Sequence, residues 1–167
     1  PVQVNVDALV RTLVAELPSA SAEICIESPL LPMLGHEAIL SQCVANMLGN
    51  ALKFVEPGAT PWIRMWSEEI VPQRNHAKIT AGTYEGILVS ASPTVRLWIE
   101  DRGIGIAADA QEKISGMFQQ INSSSQFEGS GIGLAIVRKG IERMGGRVGV
   151  ESALGEGSRF WLELPKA

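Results

Sequence analysis

The stretch Thr94 to Glu100 alternates apolar and polar residues, as a half-buried strand does. It runs without a spacer into Asp101-Arg102-Gly103-Ile104-Gly105-Ile106. A strand that empties into glycines ends in backbone that can approach a neighbour closely, because no Cβ stands in the way. A second glycine segment, Gly129-Ser130-Gly131-Ile132-Gly133-Leu134, leads straight into a segment with helical periodicity. Any fold for the chain has to place these two junctions.

Around them the pattern is mixed. Val2 to Val6 alternates as a strand, and Asp7 can then cap a helix that puts Leu9, Val10, Leu13, Val14 and Leu17 on one side. Glu23 to Glu27 reads as a short strand closed by Pro29 and Pro32, and a helix from about His36 to Phe54 ends before Pro57-Gly58. Trp62 to Trp66 alternates again. Residues 67 to 94 are polar and mixed, with one apolar run near Ile87, and are expected to form a hairpin with a long loop. A weak helix is predicted from Ala108 to Phe118, and the Ser/Gln/Asn-rich stretch after it reads as a lid over about residues 115–130. A helix from about Gly133 to Met144 ends at Gly145-Gly146. Arg147 to Glu151 and Ser158 to Leu164 close the chain as a hairpin across Gly155-Glu156-Gly157. This order predicts a single α+β domain over residues 1–167: a two-layer α/β sandwich, with a mixed, mostly antiparallel sheet and helices packed on one face.

Composition narrows the chemistry. At 46% hydrophobic and 19% charged residues, the 167-residue chain can bury one core. A net charge of -4 supplies no field for gathering nucleic acid or an anionic membrane, so an anionic ligand must be held locally. Cys25 and Cys43 have neither zinc-site spacing nor disulfide-scaffold density, which suits a reducing compartment. No apolar run approaches a membrane span, so a cytoplasmic segment without membrane contact is expected. The start at Pro1, without methionine, fits a piece of a longer protein.

On the helix from 36 to 54, Leu40, Val44, Met47, Leu48 and Ala51 share one side, and Gln42, Asn46, Asn50 and Lys53 form a stripe on the other. The stripe is either an ordinary solvated face or a metal-phosphate surface. Asn is a poor helix former, whereas its amide oxygen can coordinate a cation already carrying phosphates and Lys53 can neutralise phosphate. Asp101 likewise has two readings: a solvated turn residue, or a buried acceptor for an exocyclic amine such as adenine N6. Gly103 to Ala108 also matches the loose dinucleotide pattern G-x-G-x-x-A, but a carboxylate at its mouth would repel a pyrophosphate. The helix start at Gly129 to Leu134 is suited to phosphate through its N–H groups and dipole. Neither a Gly-x-x-x-x-Gly-Lys-Ser/Thr loop nor a His-Arg-Asp/Asp-Phe-Gly pair is present.

In this order the segments resemble the catalytic and ATP-binding domain of sensor histidine kinases, in the superfamily that includes gyrase and a heat-shock chaperone. Asn46 to Phe54 is similar to the N box, Asp101 to Gly105 to the G1 box, Phe118 to the F box, Gly129 to Leu134 to the G2 box, and Gly155 to Phe160 to the last glycine box. The resemblance implies ATP and Mg²⁺ as ligands, with Asn50 on the metal and Asn46 and Lys53 near the phosphates. It also implies Asp101 on adenine, Phe54 beside the nucleotide, and further contacts from Gly103, Gly105, Ile106, Ser130, Gly131, Ile132, Gly133, Leu134 and Ser158. It implies as partners a phosphoacceptor His on a dimerisation helix domain, absent from this chain, and a response-regulator receiver domain. Arg102 stands where the family often has Asn, Gly116 where a bulkier residue usually precedes the Phe, and Gln120 where many members place Arg.

ATP-hydrolysing members of the superfamily resemble one another in placing Glu one turn before the metal Asn. Here that residue is Asn46, which cannot take a proton from water, so transfer to a docked nucleophile is favoured over hydrolysis. His36, at the helix start, and His76, in the polar stretch, are not suited as acceptor. A nucleotide-binding scaffold and a Ser-directed kinase of the same superfamily are the alternatives.

Overall fold

The computed structural model describes residues 1–17, 22–72, 92–110 and 130–167, with side chains except at 130–132. The sheet is organised on β5, Thr94–Asp101, whose alternation sends Val95, Leu97 and Ile99 into the core and Arg96, Trp98 and Glu100 to the opposite face. β4 (Trp62–Ile70) and β7 (Gly157–Pro165) flank it, both antiparallel. β6 (Arg147–Ala153) pairs antiparallel with β7, and β2 (Glu23–Ile26) pairs parallel with β4. The five-strand order is β2-β4-β5-β7-β6. A separate two-stranded sheet joins β1 (Val2–Val4) to β3 (Met33–Gly35), and Met33 bridges to Lys166 just beyond β7.

Among the described residues, the inner face is covered by α1 (Val6–Glu16), α2 (Glu37–Lys53) and α3 (Ser130–Arg143). Val6 and Val10 from α1, Leu40, Val44 and Leu48 from α2, and Leu134, Val137 and Ile141 from α3 join Ile63, Met65, Leu97, Ile99, Leu162 and Leu164 in one core. Each such side chain contributes about 1.5–3 kcal/mol by leaving water, so this apolar seam holds helices to sheet. The result is the expected α+β sandwich with a mixed, mostly antiparallel sheet.

The outer face carries no helix among the described residues and is covered by its own side chains. Trp66, Trp98 and Trp161 stand in one cross-strand row that ends at Gly149. Trp66 stacks on Trp98 at 5.7 Å, and Arg96 lies 4.0 Å over the Trp161 ring. One row along, Glu163 is 3% exposed and accepts from Thr94, Arg96 and Arg147.

Several local expectations need correction. Asn5, not Asp7, caps α1, its side chain accepting from Ala8 N at 3.0 Å. Asp7 sits in the first turn instead, where it accepts from Ser28 Oγ, Leu30 N and Arg11, and these bonds, that of Ser28 foremost, hold its carboxyl down at about 2. β4 continues past Trp66 because Ser67 to Ile70 pair with Leu97 to Thr94, and ladder pairing overrides their polar sequence. β3 was not expected. α3 begins at Ser130, before Gly133, its anchoring residues Leu134, Val137 and Ile141 outweighing the glycines. The apolar run near Ile87, most of the predicted helix to Phe118, the lid up to residue 129, Gly116, Gln120 and His76 lie outside the described residues.

Candidate functional site

Three strands lose their apolar inner face at the same level. The inward residues of β5 run Val95, Leu97, Ile99 and then Asp101; those of β7 run Leu164, Leu162, Phe160 and then Ser158; those of β6 run Val148, Val150 and then Ser152. Asp101 opposes Ser158 and Ser158 opposes Ser152, so a carboxylate and two hydroxyls form one polar row beyond the core. A polar residue that ends an alternating apolar face was the available signal for Ser152, which the sequence reading passed over.

Asp101 is 5% exposed, which excludes a solvated turn residue. Its Oδ1 accepts from Gly103 N at 2.8 Å and Ser158 N at 3.3 Å. Burial pushes the carboxyl up to about 6 against the lowering effect of these two N–H groups. The glycine segment after it is strung between two elements. Ile104 N donates to Phe54 O at 3.0 Å, Gly155 N donates to Ile104 O at 2.7 Å, and Ile106 N donates to Ser152 Oγ at 2.9 Å. A Cβ on Gly103 would strike the Phe54 carbonyl, and Gly105, at φ +74°, lies against the Ala153 carbonyl. Glycine is needed at both positions. β5 is antiparallel to both neighbours, so this loop belongs to no parallel βαβ unit and the dinucleotide reading is set aside.

The stripe on α2 goes from solvent at Gln42 inward to Asn50 and out again at Lys53. Gln42 and Lys53 are exposed, Asn46 is half-buried and Asn50 is 8% exposed. Asn50 is therefore no part of a solvated face, and its Nδ2 is buried without a hydrogen-bond partner among the described residues. A buried amide left so is costly unless a ligand meets it. Phe54 caps the helix, its N–H donating to Asn50 O at 3.1 Å, so one run of backbone bonds links Asn50, Phe54 and the loop after Asp101. The first turn of α3 faces the same stripe: a Cβ on Gly133 would stand 3.7 Å from Asn46 Oδ1. Residues 130–133 begin that helix and leave backbone N–H groups without intrahelical acceptors, next to Asn46. Leu134 is buried in the core beneath them. His36 is the N-cap residue at the far end of α2, about 25 Å from Lys53 along the axis.

A cavity of about 350 Å³ lies at the strand ends, lined by Asp101, Ser152 and Ser158 and also by Glu100, Glu151 and Arg159. Arg102 stacks over the Trp62 ring at 3.8 Å, which accounts for a large side chain at that position. Among the described residues no three His, Cys, Asp or Glu side chains gather as a metal-binding group. A cation at Asn50 would therefore take a neutral amide and draw its other oxygens from its ligand, which suits Mg²⁺ carrying phosphates.

Comparison with known proteins agrees with this geometry. Residues 35–167 match the family described as histidine kinase-, DNA gyrase B- and HSP90-like ATPases. The sensor histidine kinase AruS of Pseudomonas aeruginosa is 36% identical over 135 residues, covering 80% of this chain and 12% of that protein. The sensor protein GacS of Pseudomonas syringae is 32% identical over 171 residues, covering 96% of this chain and 17% of that protein. The chain thus spans less than a fifth of either relative. Full-length ShkA, solved with AMPPNP, superposes with a TM-score of 0.66 at 34% identity, over 99% of this chain and 31% of that one. The mycobacterial sensor histidine kinase MprB superposes at 0.71 with 21% identity, over 99% and 98% of the two chains, which shows the fold. With its glycine junctions, buried Asn50 and buried Asp101 in one arrangement, the chain belongs to the histidine kinase-, DNA gyrase B- and HSP90-like ATPase family, as an ATP-binding domain of the sensor histidine kinase type.

Proposed function

We propose that the domain binds Mg-ATP and transfers the γ-phosphoryl group to a histidine on a dimerisation helix domain, for relay to a response-regulator receiver domain in two-component signalling. The observation that carries this is Asn50: a buried amide whose Nδ2 is an unpartnered donor among the described residues, suited to a phosphate oxygen and leaving Oδ1 as the end that can ligate a metal, on the stripe that faces the start of α3. Asn50 would hold Mg²⁺, and Asn46, Lys53 and the N–H groups of residues 130–133 would orient the phosphates. The metal, when bound, offsets phosphate charge. Asp101 accepts from the adenine amine, with Gly103, Gly105, Ile106 and Ser158 shaping that end and Phe54 beside it. In-line transfer needs positioning more than acid-base chemistry, and Asn46 offers no base for water. No described helix is long and apolar enough to cross a membrane. We place the domain in the cytoplasm, where ATP is available.

Calorimetric titration with ATP, in Mg²⁺ and in EDTA, tests the reading alongside Asn50→Ala. Binding that requires both the metal and Asn50 is expected. No binding under any condition would leave a kinase-type fold used as a scaffold.

A further inference from the structure

Ser152 lies outside the segments that carry the family resemblance, yet it is the most connected hydroxyl of the polar row. Its Oγ accepts from Ile106 N at 2.9 Å, lies 2.8 Å from the Gly157 carbonyl and 2.7 Å from Ser158 Oγ. The carbonyl of Gly157 can only accept, so the single proton of Ser152 goes to it. Between the two serines the donor must then be Ser158. Were the direction reversed, a lone pair of Ser152 would face the Gly157 carbonyl across 2.8 Å.

With its proton held by Ser152, Ser158 has only lone pairs to offer. It stands directly opposite Asp101 in register and is 6% exposed, with its N–H on the Asp101 carboxylate. A carboxylate and an acceptor-only hydroxyl side by side suit a ligand edge that carries hydrogens and repel one that carries a carbonyl oxygen. We propose that Ser152 is a positioning residue that fixes the polarity of Ser158, and so sets the preference of the site for 6-aminopurines over 6-oxopurines. This rests on the nucleotide reading above and goes beyond it by assigning selectivity to a residue that need not touch the ligand. When Ser152 is removed, Ser158 regains a proton that it can turn toward an oxo group.

The test is the ratio of ATP to ITP affinity, measured by calorimetry with Mg²⁺ at a pH where Asp101 is ionised, for wild type, Ser152→Ala, Ser158→Ala and the double variant. Wild type is expected to favour ATP by at least ~10-fold. Ser152→Ala is expected to lower that ratio by about threefold or more, and to change it no further in the Ser158→Ala background. Equal loss of both affinities in Ser152→Ala would mark a purely structural role through Ile106 and overturn the proposal. So would a shift in the ratio that persists without Ser158. If Ser152→Ala does not fold, Ser158→Ala decides alone, since an unchanged ratio there overturns the proposal and a lowered one supports it. If wild type binds neither nucleotide, it is the nucleotide reading that fails; if it binds both equally and still needs Asn50, the polarity inference fails together with the Asp101–adenine contact, while the metal-phosphate part of the reading stands.

Discussion

Asp101 is held in a state that folding disfavours. Its carboxyl is raised from 3.8 to about 6, chiefly by burial. The folded state therefore binds the proton more tightly than the unfolded chain, and the stability linked to this group, present in full below about pH 4, is lost as pH rises through 6. At neutral pH the ionised carboxylate costs up to about 3 kcal/mol. Asp101→Asn keeps an oxygen for Gly103 N and Ser158 N without the charge. It should raise stability in urea unfolding at pH 7 by roughly 1–3 kcal/mol while abolishing ATP binding. Lower stability in the variant would show that the ionised carboxylate is not a burden. Asn46 supports a second expectation, that the isolated domain releases almost no phosphate from ATP. Steady release that disappears in Asn50→Ala would mean that another group activates water.

At the scale of elements, the ladder decides what local sequence leaves open. The alternation of Thr94 to Glu100 was legible, and with it the inner face, because period-2 burial needs no partner to be read. The end of β4 was not, since Ser67 to Ile70 owe their strand to β5. The cap of α1 fell to Asn5 because Asp7 is drawn off by Leu30 and Ser28, a contact between residues more than twenty apart. Of the site, the glycines, Asn50 and Asp101 were legible as motifs, whereas Ser152 matters only through cross-strand register. The outer face was equally hidden, although all of its tryptophans could be counted. There Glu163 tests how the outer face, without a helix among the described residues, is held. Burial alone would raise its carboxyl, but Arg147, Thr94 and Arg96 outweigh burial and keep it below the usual range. Its stabilising effect is present above the ordinary carboxylate pKa and lost as pH falls through the lowered value. Glu163→Gln should cost about 2–3 kcal/mol in thermal or urea unfolding at neutral pH, leaving Arg96 partly buried beside a neutral amide. A cost below about 0.5 kcal/mol would place the pair with ordinary surface salt bridges.

Across the whole molecule, the site and the chain's N-terminal strand sit at opposite ends of β5 and β7. Asp101 opposes Ser158 at one end and Thr94 opposes Pro165 at the other, about 23 Å apart for eight strand residues. The second end is where β3 meets Lys166, and β1 reaches the core through β3, with Val4 only 2% exposed. Trimming Val4 to Ala should therefore cost about 2 kcal/mol through lost burial and the cavity left behind. Sites this far apart, sharing no partner, act additively, so ATP affinity in the folded variant should stay within about twofold of wild type. A fixed ATP concentration should then add the same increment of stability to both proteins, because that increment depends only on ligand concentration and dissociation constant. Unfolding curves of wild type and Val4→Ala, each with and without Mg-ATP, measure both quantities. Parallel curves displaced by a constant amount are expected. A variant that loses ATP affinity in step with stability would show that β1 is coupled to Asp101 along the full length of the sheet.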